Sequence, residues 1–351
     1  MNQNKQLPRV FHGLLNFGTQ SGLFARELQK RGYDALSVTL HDTFGRLTDV
    51  ELKYGGSLPV KIVRHLWNYW FLARCFWKFD IFHFYYGCSL APRQLDLPLY
   101  RLFGKKVVME YLGNDIQGYE LSIRKYRWTN MSHILSPAEG KKYDEKIRTR
   151  VKNEIKYIDR TLVCAPVYAE FAPHAEVLSL AIDIEAIPFS PMPAFNGTFK
   201  IMHAPTSRGF KGTKYIVEAV DQLRAEGLSI EFDLVEGVPH DELLNRYRAC
   251  HIFIDQILGG WYGTASIEAM AIGRPVVVSI REDYFQHIDF GNQIPAIHAD
   301  PDCIVQVLRE LLNRSYGDLT KRGVESRKFV EEFHSVKKVT DKLVSIYESL
   351  L

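Results

Sequence analysis

Apolar and polar positions along this chain follow two rhythms that take turns. Short apolar runs at 10–15, 35–40, 81–85, 106–111 and 161–164 have the length of buried strands, and between the first two stands a segment of helical spacing, 21–30, stopped by Gly32. Such alternation predicts a parallel sheet with helices on its faces. The rhythm breaks at 185–198, where Pro188, Pro191, Pro193 and Gly197 form the densest proline cluster and read as an interdomain linker. A cleaner series follows. Positions 199–203 read as a strand, and 213–226 as a helix with Ile216, Val217, Val220 and Leu223 on one face and Gly227 as its stop. Ile230, Phe232 and Leu234 alternate as a strand, 240–249 is helical, and 251–255 is a strand again.

The predicted fold class is therefore α/β, with two Rossmann-like doubly wound domains facing across a cleft. The N-terminal domain would take 1–184, the linker 185–198 and the C-terminal domain 199–335. A last helix within 336–351 would pack on either domain, with a return to the N-terminal one as an option.

Ligands of such sheets collect beyond the carboxyl ends of the strands, so candidate chemistry is sought there. The segment 259–278, GGWYGTASIEAMAIGRPVVV, reads as a glycine turn, a helix with Glu268 as its third or fourth residue, a stop at Gly273 and a buried strand opening at Pro275. Tyr262, Gly263, Thr264 and Ala265 lead into that helix, whose unpaired N–H groups favour an anion. The Glu268 carboxylate accepts hydrogen bonds from hydroxyls. A phosphate joined to a hydroxyl-rich ring describes a nucleotide sugar. Asp255 and Gln256 stand just before the turn, at the end of the preceding strand.

Arg208, Lys211 and Lys214 crowd the turn after the strand at 199–203, where fixed cations would neutralise a departing diphosphate. Lys214 reads as solvated surface. Val238, in the run from Glu236 to Pro239, brings backbone amides to the end of the next strand, where they could read a base edge. In the first series Gly18, Thr19, Gln20 and Gly22 form a glycine-rich strand-to-helix turn, a phosphate cradle or an ordinary tight turn. Asn114 and Asp115 follow the strand at 106–111 and would bond sugar hydroxyls or cap the next turn. His83 ends another strand, as a packed core residue or an acceptor-side group.

Composition adds limits. The chain has 351 residues, 46% hydrophobic and 24% charged, as in an ordinary globular protein. The first ten residues lack the apolar core of a secretory leader, and the most apolar stretch, 62–77, is broken by Arg64, His65, Asn68 and Arg74. Five scattered cysteines without a Cys-x-x-Cys pair imply a reducing compartment and no structural zinc. A net charge of +3 does not suggest nucleic acid as a partner, but the charge is uneven: residues 1–184 hold 26 Lys/Arg against 18 Asp/Glu, and the remainder 18 against 23. The basic half would suit an anionic acceptor or membrane surface, or is merely an uneven solvated surface. Within it, 61–78 interleaves Trp67, Trp70, Phe71 and Trp77 with Lys61, Arg64, Arg74 and Lys78. That stretch reads as an interfacial helix or as a crossover helix that buries its aromatics.

From Gly260 to Val278 the chain resembles the GT-B glycosyltransferases of the large retaining family 4 class. Gly260-Trp261-Tyr262-Gly263 and Glu268-Ala269-Met270-Ala271-Ile272-Gly273-Arg274-Pro275-Val276-Val277 match that family's paired-carboxylate motif, Lys211-Gly212 its Lys-Gly, and Gly113-Asn114-Asp115 its Gly-Ser-Asp. The resemblance implies that Glu268 binds the ribose, Arg208 and Lys211 hold the diphosphate, and Gly18 to Gly22 closes over the phosphates. It further implies transfer with retention, without metal or cofactor, to a glycan, lipid-linked or other glycoconjugate acceptor, in the cytoplasm or at the inner face of the membrane. Three positions depart from the pattern: Gly260 stands for the first glutamate, Leu112 for a histidine, and Thr206 for an arginine, with Arg208 shifted. A non-catalytic nucleotide-sugar-binding protein and a sugar-nucleotide epimerase or phosphorylase on the same fold are the alternatives. Asp255 and Gln256 are the candidates to replace the lost carboxylate as sugar contacts.

Overall fold

The computed structural model describes residues 7–40 and 45–351, so part of the leader reading, residues 1–6, lies outside it. The chain divides into two compact units, one of residues up to Ile116, Lys146–Ala181 and Val336–Leu351, the other of Gln117–Glu145 and Ile182–Ser335.

The first unit is built on seven parallel strands, β1 (Val10–Leu14), β2 (Ala35–Leu40), β3 (Val50–Leu52), β4 (Ile81–Tyr85), β5 (Lys106–Tyr111), β6 (Arg160–Val163) and β7 (Glu176–Val177), ordered β3-β2-β1-β4-β5-β6-β7. Strands β1 and β4 are buried along their whole length, as expected for a sheet covered on both faces. Val10, Ile81, Val108 and Leu162 of the sheet share a core with Phe24 and Leu28 of the helix Gln20–Lys30. Val339, Leu343, Ile346 and Tyr347 of the terminal helix Val336–Glu348 join the same core, and Arg31 ties that helix down through Asp341 at 2.8 Å.

The second unit holds five parallel strands, β8 (Phe199–His203), β9 (Ile230–Leu234), β10 (Ile252–Ile254), β11 (Val276–Val278) and β12 (Ile297–His298), ordered β12-β11-β10-β8-β9. Its core joins Ile201, Ile252, Ile254 and Val277 to Ile216, Val220 and Leu223 of the helix Thr213–Ala225 and to Leu308 and Leu311 of the helix Ile304–Leu312.

One segment groups elsewhere than the sequence pattern suggested, and the linker stretch is held more closely than that pattern implied. Residues 117–145 belong with the second unit: Arg281 donates to the Trp128 carbonyl at 3.0 Å and covers the Tyr126 ring at 3.6 Å, and His133 meets Tyr215 at 2.9 Å. The proline-rich 185–198 forms no helix or strand, yet it is bound along the second unit. The wholly buried Arg274 donates to the carbonyls of Ser190 and Pro191, Tyr316 to those of Met192 and Pro193, and Met192 enters the core. Proline density marks irregular backbone, and side-chain partners far along the chain decide whether it is tethered.

Candidate functional site

Strands β8, β9 and β10 run in register, with His203 opposite both Leu234 and Ile254. The segments leaving them therefore emerge at one rim. The chain goes from β8 to β9 on one side and to β10 on the other, which makes the β8/β10 boundary the switch point where ligands of such sheets bind.

At that boundary β8 leads into a single helical turn, Arg208–Lys211, capped by the Ser207 hydroxyl and ended by Gly212 at φ 79°. A side chain at Gly212 would strike Ile257 at 2.7 Å, so glycine is required both for the left-handed conformation and for the space. The turn places the buried Lys211 ammonium on the carboxylate of Asp255, directly after β10, and the Ser266 hydroxyl donates to the same carboxylate at 2.5 Å. Burial works to raise Asp255, but the Lys211 charge, its hydrogen bond and that of Ser266 outweigh it and hold the carboxyl below its ordinary range. Lys211 retains two N–H donors beyond the one given to Asp255.

Arg208 is exposed and forms a fork on Glu236 after β9, with Nε 3.0 and 3.2 Å from its two carboxylate oxygens. His203 is buried and neutral, its imidazole pushed down to about 4, chiefly by burial. Its Nε2 meets the Thr213 hydroxyl at 2.8 Å and its Nδ1 meets the Ile254 carbonyl at 2.8 Å, which lock the floor of the switch point.

The helix Thr264–Ile272 starts at Gly263 with no side-chain cap and stops at Gly273 in the left-handed conformation. Gly263, Thr264 and Ala265 are partly exposed, so the first N–H groups are open to an anion. Glu268 is the fifth helical residue, one place further along than the sequence pattern allowed. Its Oε1 lies 2.9 Å from Nε2 of His240, the first residue of the helix His240–Ala249. The bond to Glu268 raises the His240 imidazole above its ordinary value, against burial. His240 was missed in the sequence, although its place just after a strand end and Pro239 was a usable signal. Val238 stands on the same loop, partly exposed.

Other candidates are corrected. Tyr262 and Gln256 face inward, Tyr262 to His334 at 2.9 Å and Gln256 Nε2 to the Trp261 carbonyl at 2.5 Å. In the first unit, Gly18 and Thr19 keep partial exposure with positive φ, but Gln20 is buried and its amide is consumed by backbone: Nε2 donates to the Gly18 and Ala181 carbonyls, each at 2.9 Å, and Oε1 accepts from Ala181 N at 2.7 Å. A Cβ on Gly22 would lie 1.9 Å from the Leu47 carbonyl, so this glycine serves close packing. Asp115 caps its own turn, accepting from Leu112 N at 3.0 Å and Gly113 N at 2.8 Å, and burial pushes it up to about 7. Asn114 remains partly exposed beside it.

His83 belongs to a buried network in place of a ligand site. Its Nε2 lies 3.1 Å from Glu110, its Nδ1 2.7 Å from the Tyr347 hydroxyl, and that hydroxyl 3.3 Å from His12, whose Nδ1 is 2.7 Å from Tyr85. Burial drives His83 down to about 3 and Glu110 up to about 8, so both are neutral. The hydrogen bonds then line up in one direction, from His83 through Tyr347 and His12 to Tyr85, with Glu110 packed beside His83 outside that chain of bonds.

At Gly260 the backbone has φ 77°, and a Cβ would lie 2.5 Å from the Arg281 guanidinium. A cation packs where the resemblance would have put a carboxylate. One cluster, His298, Asp300 and Cys303, has the spacing of a metal site. Ile280 N donates to His298 Nδ1 at 3.0 Å, which leaves the ring proton on Nε2, the nitrogen that points toward Asp300 at 4.0 Å. The cluster does not fit a metal.

No family model and no curated protein matches this chain. Solved structures do. A sucrose-phosphate synthase from Thermosynechococcus elongatus shares 15% identity over 98% of this chain and 99% of its own, with a TM-score of 0.66. Anabaena HepE, solved with UDP and glucose, shares 11% over 98% and 100%, with a TM-score of 0.60. The glycotransferase of kitacinnamycin shares 13% over 97% and 99%, with a TM-score of 0.51. The chain thus has the GT-B fold of glycosyltransferases, made from two parallel-sheet α/β units.

Proposed function

We propose that the chain is a retaining glycosyltransferase that moves a sugar from a nucleoside diphosphate to a glycan, lipid-linked or other glycoconjugate acceptor, without metal or cofactor. The observation that carries this reading is the convergence at one rim of Lys211 on Asp255, Asp255 on Ser266, and the uncapped helix start that Ser266 shares with Glu268. The open N–H groups and the spare Lys211 donors suit a diphosphate. Arg208 would join them by leaving Glu236, an exposed pair of the kind that exchanges readily.

In the transfer, the bond from the anomeric carbon to the diphosphate oxygen breaks as the acceptor oxygen bonds to that carbon. The departing phosphate oxygen takes the acceptor proton, so no protein base is needed. The cations and the helix start stabilise the charge that builds on the leaving group. Glu268, oriented by His240, would accept the ribose hydroxyls.

HepE structures containing UDP and UDP-glucose make UDP-glucose the first donor to test. Glu268→Ala should weaken its binding at least tenfold by calorimetry and abolish donor hydrolysis. Unchanged binding in that variant would defeat the proposal. Gly260 beside Arg281 supports a second reading, a protein that binds the donor without transferring it. Donor binding with no hydrolysis or transfer above the Glu268→Ala control would select that reading.

A further inference from the structure

The helix Leu58–Lys78 is turned inside out relative to an ordinary crossover helix. Asn68, Leu72, Cys75 and Phe76 are its only buried residues, a narrow stripe against the first unit. On the opposite side Ile62, Val63, Leu66, Tyr69, Trp70 and Trp77 expose between 53% and 66% of their surfaces. At ~100° per residue these six fill an arc of about 120°, as broad as the stripe with which a helix normally faces a core. Here it faces solvent. Among the described residues nothing covers it.

The patch continues beyond the helix. Trp77 packs edge-on against Phe103 at 4.9 Å, and Phe103 and its neighbour Leu102 expose 46% and 74% of their surfaces. The charge around this apolar surface is mostly basic, with Lys78 paired to Asp34 at 2.8 Å and Lys106 to Asp159 at 3.7 Å. The helix carries Lys61, Arg64, Arg74 and Lys78 and no Asp or Glu. From Pro92 to Lys106 stand Arg93, Arg101, Lys105 and Lys106, and the one carboxylate, Asp96, is buried on Tyr100, Ser89 and Leu90 N. Arg74 lies 4.9 Å from the Trp70 ring, its cation beside the apolar face.

We propose that this surface docks the protein on an anionic lipid bilayer, with the helix lying in the interface. Aromatic and aliphatic side chains would enter the acyl boundary, and the flanking Lys and Arg would meet lipid phosphates. The arc is wider than the narrow seam of a coiled coil, and a second copy of the chain would bring equally basic flanks together. An acidic apolar protein would match the charge, but a single exposed helix presents a convex ridge without a pocket for anchors. The helix belongs to the first unit and shares no residue with the Lys211 and Glu268 site of the second, so this inference stands without the proposed donor chemistry.

The test is flotation of the full chain with vesicles of about 30% phosphatidylglycerol in phosphatidylcholine, against phosphatidylcholine alone. The wild type should float with the anionic vesicles at least tenfold more than with neutral ones, and about 0.5 M salt should release it. Leu66→Ser/Trp70→Ser/Trp77→Ser should lose flotation at least tenfold, and Lys61→Glu/Arg64→Glu/Arg74→Glu likewise, with circular dichroism and the thermal midpoint unchanged. No flotation of the wild type, or flotation of both variants equal to that of the wild type, would overturn the proposal. A wild-type dimer broken by the serine variant, with no flotation, would assign the face to a second copy, and capture of an acidic protein with no flotation would assign it to a protein partner.

Discussion

At Asp255 a carboxylate without solvent is kept ionised by one ammonium and one hydroxyl, and neither partner adjoins it in sequence. Removing one partner of such a pair leaves an uncompensated buried charge, which costs about 3–5 kcal/mol. Lys211→Met should therefore lower the unfolding free energy by that order in urea titrations, and Lys211→Met/Asp255→Leu should recover much of the loss. A single variant that unfolds like the wild type would mean that the pair is not formed. Both residues were legible as rim candidates because each follows a strand. Their union was not, since it depends on Gly212 turning the chain and on the register of β8 with β10. Gln20 and Asp115 show the converse. Each had the residue type and rim position of a ligand group, but its hydrogen-bonding capacity is spent on nearby or distant backbone, as a buried polar side chain requires.

Among the elements, the terminal helix Val336–Glu348 depends on partners that no local pattern names. A last helix was legible within 336–351, with its docking left open to either domain. Val339, Leu343 and Ile346 supply the apolar face, and Tyr347 carries the specificity by bridging His83 and His12, more than 260 positions away. Tyr347→Phe keeps the ring and strands two buried imidazoles, at a cost of about 1–3 kcal/mol. The expected signature is a lower thermal midpoint together with faster hydrogen exchange in this helix, and unchanged exchange there would contradict the network. For Leu58–Lys78 the same kind of pattern was compatible with burial or exposure of its tryptophans. The sheet accepts only a narrow stripe of that helix, so the aromatics remain outside.

Over the whole molecule, buried neutral groups set a pH dependence. Glu110 keeps its proton in the folded chain up to about 8, whereas an unfolded carboxyl releases it near 4.5. Between these values the folded state binds more protons, so stability falls as pH rises. His12 and His83 act oppositely, because they stay neutral in the fold while unfolded histidines charge below 6.5. Their effect ends near that value, which leaves Glu110 acting from 6.5 to about 8, joined by Asp115 up to about 7 and by His240, whose raised imidazole acts in the same sense above 6.5. Unfolding free energies from urea titrations should decline across that window by up to about 1.4 kcal/mol per pH unit for each such group, more steeply below 7 than above it, and Glu110→Gln should flatten the decline above 7. A wild-type curve that is level from 6.5 to 8 would refute a neutral Glu110. Hydrophobic periodicity by itself determined the alternation of strand and helix, the parallel sheets and the rims where candidate residues stand, because burial of an apolar face imposes a repeat that each segment carries locally. Tertiary structure alone decided which candidates remain open to a ligand, where 117–145 and the last helix belong, and that one aromatic helix faces outward. Those outcomes rest on partners distant in sequence, and a side chain's availability is what remains after such partners have taken their hydrogen bonds and surface.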